Sequence, residues 1–125
     1  MKLLPALILA AGPALAIDVP SGQPLELQEV LVDTIDEETW LRFRFLAPQI
    51  AGEGGTVDYE TAAQDMAHLC DTLAIPYIAD YALTGDVIVI SLADRPVAFG
   101  EADPDATQFF EAFTVENGLC ILEGL

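Results

Sequence analysis

The sequence predicts an α+β fold, one helix packed on a mostly antiparallel sheet, in the order ββ-α-ββ(β)ββ and stapled by one disulfide. Three observations predict it. A single stretch, "TVDYETAAQDMAHLCDTLAIP", repeats its apolar residues at helical spacing. Short β-branched and aromatic runs lie on both sides of it, separated by turn residues. Two cysteines, Cys70 in the helical stretch and Cys120 near the end of the chain, offer a bond between the two layers.

The elements follow in chain order. Residues 1–16, "MKLLPALILAAGPALA", carry a positive Lys2, a short apolar run and then Ala14-Leu15-Ala16, the small-x-small pattern of a signal peptide. The run is too short to span a bilayer, so no membrane span is expected after cleavage. Residues 17–125 then form one small α+β domain. Leu25 to Asp33 reads as a strand whose alternation changes phase near Gln28-Glu29, the signature of a bulge. "TIDEE" turns the chain, and Thr39 to Ala47 alternates cleanly as a second strand.

In the helix, Asp58 is placed as N-cap, with Val57 and Ala62 as a hydrophobic staple. Tyr59, Ala62, Ala63, Met66, Leu69, Cys70 and Leu73 make the apolar stripe, and Pro76 ends it. Tyr77 to Leu83 and Val87 to Leu92 flank "TGD" as a hairpin, and "VAFG" after Pro96 reads as a short extended piece. Gln108 to Val115 and Leu119 to Leu122 flank Asn117-Gly118, a strong hairpin signal.

Charge excludes some functions. The chain has 21 acidic residues against four basic ones, a formal charge of −17, and Lys2 lies in the leader. Such a surface repels nucleic acid and anionic lipid, and it suits solubility, cations or a basic partner. Export places the chain in an oxidising compartment, periplasmic or secreted, where Cys70 and Cys120 read as a structural disulfide. Closing a loop of about 50 residues would stabilise by about 4 kcal/mol in the chain-entropy model. A bridge between two chains would use the same residues.

Trp40, Arg42 and Arg44 share one strand face, opposite Leu41, Phe43 and Phe45. They form a candidate binding platform for a carboxylate, phosphate or sugar. Equally, each arginine could answer a carboxylate of the adjoining strand, with Glu26 or Glu29 within reach. His68 has Asp65 and Asp71 three residues either side, a weak metal or general-base pattern with too few nitrogen or sulfur ligands for zinc. Asp103 and Asp105 form a weak candidate calcium site, although Gln108 and Thr114 stand where an EF-hand loop needs glycine and glutamate. Catalytic motifs are absent from the sequence, so no cofactor other than calcium is implied.

The stretches "ALAIDVPSGQP", "TWLRFRFLAP", "DMAHLC", "ISLADRPVAFG" and "TQFFEAFTVENGLC" resemble an uncharacterised family of small exported proteins from Rhodobacter-group alphaproteobacteria. The resemblance implies an export signal and the two cysteines as shared features, and no activity. The expectation is a non-catalytic periplasmic interaction or binding module, its partner a periplasmic protein or envelope component. A small calcium-binding protein is the alternative, and a periplasmic hydrolase a third reading.

Overall fold

A computed structural model describes residues 17–123, so the signal peptide expected over 1–16 lies outside the described residues. Strand β1 (Glu26–Ile35) pairs antiparallel with β2 (Glu38–Leu46), and the register shifts between Leu27 and Glu29, at the expected bulge. Asp36 and Glu37 join the strands at φ 49° and 71°. That is the primed-turn geometry whose twist suits a two-residue hairpin, here adopted without glycine.

After a single 3-10 turn (Pro48–Ile50), helix α1 runs from Tyr59 to Leu69. Asp58 caps it, its carboxylate accepting the Thr61 N–H at 2.9 Å. The Thr61 N–H holds the Asp58 carboxyl below its ordinary range. The helix does not stop before Pro76. A π-helical turn (Cys70–Ala74) leads directly into α2 (Ile75–Asp80), and the Ile75 N–H reaches back to the Cys70 carbonyl. This wider turn accommodates the proline ring and its missing donor at the start of α2.

The expected strand from Tyr77 to Leu83 is therefore a helical continuation, and the "TGD" hairpin does not exist. Instead β3 (Val87–Ala93) returns parallel to β2 through the whole helical crossover. Gly85 permits this return: a Cβ there would lie 2.6 Å from Leu41 Cγ. Strand β3 is buried along its full length, which explains its unbroken apolar run, "VIVISLA". Strands β4 (Gln108–Glu116) and β5 (Leu119–Leu122) complete a five-stranded sheet in the order β1-β2-β3-β4-β5, with β2–β3 its one parallel pair. Asn117 and Gly118 turn the last hairpin at φ 53° and 78°. The fold is thus one helical layer on a mostly antiparallel sheet, in the order ββ-α-βββ.

Leu41, Phe43 and Phe45 of β2 pack with Ile90 and Leu92 of β3 beneath Met66 and Leu69 of α1. Burying each of these side chains contributes roughly 1.5–3 kcal/mol. Cys70 and Cys120 form a disulfide with their Cα atoms 6.1 Å apart, so the helical layer is bonded to the edge strand β5. The next residue along the helical layer adds a second tie: the Asp71 carboxylate accepts the Cys120 N–H at 2.8 Å.

Asp65 sits on the buried side of α1, not its polar side, and is fully enclosed. The entry segment crosses over it as a strap. Ser21 donates its N–H at 3.0 Å and its hydroxyl at 2.6 Å, and Gln23 donates its side-chain amide at 2.7 Å. Among the described residues, no helix is long and apolar enough to cross a membrane.

Candidate functional site

Period-two alternation puts Trp40, Arg42 and Arg44 on the sheet face that the helix leaves open. Strand order then decides their company. Arg42 lies opposite Val89, Arg44 opposite Ser91, and Ser91 opposite Phe110. The six residues Arg42, Arg44, Val89, Ser91, Gln108 and Phe110 floor a cavity of about 220 Å3.

Its roof is the segment read from sequence as extended. Residues 98–101 form a tight turn instead, with the Glu101 N–H donating to the Ala98 carbonyl at 3.1 Å and Gly100 at φ 83°. A type II turn needs a positive φ at its third position, and glycine supplies it without strain. The turn brings Phe99 over the arginines, its ring centroid 5.2 Å from the Arg42 guanidinium carbon and 5.6 Å from that of Arg44. The base of this excursion is pinned at Asp94, whose N–H donates to the Thr107 carbonyl and whose carboxylate accepts the Thr107 N–H. Burial pushes the Asp94 carboxyl up, but the Arg95 guanidinium and the Thr107 N–H outweigh it and leave the group below its ordinary value.

The two cleft arginines differ in what they have left to offer. Arg44, with a side chain 10 % exposed, pairs with Glu29 and donates to the Val97 carbonyl at 2.7 Å. It ties the roof and β1 to the sheet. Arg42 gives only its Nε, to Asp33 at 3.2 Å. Among the described residues, nothing accepts from its two terminal nitrogens. Trp40 lies outside the cleft and stacks on Arg42, its centroid 5.3 Å from the guanidinium carbon. With Phe99 it fixes the plane of the guanidinium, while the nitrogens along its edge can still meet a planar carboxylate. Ser91 is 9 % exposed, and no partner for its hydroxyl stands among the described residues.

A match to the model of a family of unknown function, DUF6497, extends over residues 4–125. The chain belongs to the DUF6497 family. No curated protein and no solved structure matches it.

The other sequence candidates of this DUF6497 chain do not converge. Around His68, Asp65 is committed to the strap, Asp71 to Cys120, and the Thr72 hydroxyl donates to the His68 carbonyl. Asp103 accepts the N–H of Asp105 at 2.9 Å in an exposed local turn. No group of three or more metal-ligating side chains occurs among the described residues. Ser91 points to the face opposite the helix that carries His68, so the sheet stands between them. Of the two carboxylates weighed for the arginines, Glu29 meets Arg44, while Glu26 stands opposite Leu46. The sequence reading missed Phe99, Glu101, Ser91, Gln108 and Phe110. An aromatic-glycine pair after proline is a turn signal that could have found Phe99. Glu101 closes the same turn, and the other three need the strand order.

Proposed function

We propose that the protein is a small exported binding module, without catalysis of its own, that recognises a carboxylate in the cleft beneath Phe99. The observation that carries this reading is Arg42. Its guanidinium is clamped by aromatic rings and Asp33, yet its terminal nitrogens open on a concave cleft beside an unpartnered serine. Guanidinium and carboxylate match as a bidentate pair, and partial burial strengthens such a bond over its value in water. The ligand belongs to the periplasm or the extracellular medium, the compartment that the leader and the resemblance to exported Rhodobacter-group proteins support.

Benzoate tests the site. In an NMR titration of the disulfide-bonded protein, saturable shifts are expected at the amides of Ser91, Phe99 and Glu101. They should vanish in Arg42→Gln, while Arg42→Gln keeps its melting temperature within a few degrees. Arg44→Ala should lower stability by about 2 kcal/mol, because it strands the Val97 carbonyl and Glu29. Absence of an Arg42-dependent response, to benzoate or to any other carboxylate, would remove the cleft as the site. Intact mass of the natively expressed protein, taken without reductant, tests export. A chain starting at Ile17 with joined cysteines is expected, and one retaining Met1 overturns it.

A further inference from the structure

The cleft is not a purely cationic site. Its roof carries Glu101, an exposed carboxylate whose side chain makes no hydrogen bond among the described residues. Its two rings, Phe99 of the roof and Phe110 of the floor, remain 48 % and 47 % exposed, large rings left half uncovered. The cavity has a volume of about 220 Å3 and opens to solvent.

A simple carboxylate on Arg42 binds against the field of a protein of formal charge −17 and beside Glu101, which weakens its binding without preventing it. A simple cation would meet Arg42. A ligand bearing both charges and no net charge is attracted at each end and is not repelled by the field of the whole molecule.

We infer that the cleft binds a free α-amino acid with an apolar side chain. Its carboxylate lies on the terminal nitrogens of Arg42 with the Ser91 hydroxyl donating, its ammonium donates to Glu101, and its side chain covers Phe99 and Phe110. Gln108 supplies a further amide at the cleft floor. This assignment rests on the carboxylate-binding reading of the cleft and adds the ammonium site and the apolar contact.

The probes are L-leucine, N-acetyl-leucine, which lacks the ammonium, and leucinamide, which lacks the carboxylate. Titrated against the disulfide-bonded protein, leucine should bind about ten-fold more tightly than either analogue. Glu101→Gln should weaken leucine by about ten-fold and leave N-acetyl-leucine unchanged or slightly tighter, since the variant also removes a like charge. Because Glu101 is exposed and carries no structural hydrogen bond, this variant should fold as the parent does. If N-acetyl-leucine binds as well as leucine, or Glu101→Gln leaves leucine unaffected, there is no ammonium site and the inference is overturned. Should benzoate then still shift Ser91 through Arg42, the carboxylate site survives that failure. If neither leucine nor benzoate shifts any cleft amide, both are lost together.

Discussion

At the scale of single residues, burial separates side chains that composition treats alike. Asp65 is one of 21 acidic residues, yet it is enclosed and accepts three hydrogen bonds from Ser21 and Gln23. A carboxylate so placed organises the entry segment, and its removal strands the donors facing it. Asp65→Ala is expected to lower stability by about 3 kcal/mol, read as a fall in the denaturant midpoint at unchanged slope. Leu or Met at the same site would repair the volume but not the donors, so neither should restore the parent midpoint. Nothing in the sequence distinguishes Asp65 from its neighbours, since helical spacing alone places it with the polar residues. Arg42 and Arg44 teach the same lesson in the other direction. Alternation fixed their shared face, but their division of labour depends on which partners β1 and the roof turn present.

Among the elements, the two hairpins and the second strand were legible because their signals are local. Asn-Gly specifies its turn chemistry, and "WLRFRF" can satisfy its alternation only as a strand with one buried face. The helix beyond Pro76 and the parallel return of β3 were not. Both depend on a π-turn and on the space left by Gly85, neither of which has a signature in short-range periodicity. The disulfide works at this scale too, joining the π-turn to β5 across a sequence separation of 50. Replacing both cysteines by serine is expected to destabilise by about 4 kcal/mol. Amide hydrogen exchange should locate the loss, with protection at Leu119 to Leu122 falling before protection at β2 and β3.

For the whole molecule, the dominant quantity is charge. At neutral pH a formal charge of −17 works against the compact state, and acid relieves it. The opposing contribution comes from Asp58 and Asp94, whose carboxyls are held below the ordinary 3.8 by the bonds they accept. A depressed carboxyl stabilises the fold above its unfolded value and loses that contribution as pH falls through the folded one. The melting temperature should therefore hold nearly level from pH 8 to about 5, rise as carboxylates take up protons between about pH 5 and 4, and decline below about 3.8. Added salt should raise it at pH 7 and have little effect near pH 4. A melting temperature at pH 7 that added salt leaves unchanged would show that self-repulsion contributes nothing.

The Asp71 carboxylate, bonded to the Cys120 N–H, has a consequence for how copies of this chain treat one another. An uncovered strand edge is a template on which a second chain can grow, and β5 carries exposed Leu119, Ile121 and Leu122 beside such an edge. The π-turn supplies both the sulfur that fastens β5 and the oxygen that occupies its outward donor. A reductant removes the covalent one of these two ties and leaves the edge held by the hydrogen bond alone. Light scattering of the reduced protein is therefore expected to rise faster on warming than that of the oxidised one, and equal rates would show that the bond does not guard this edge.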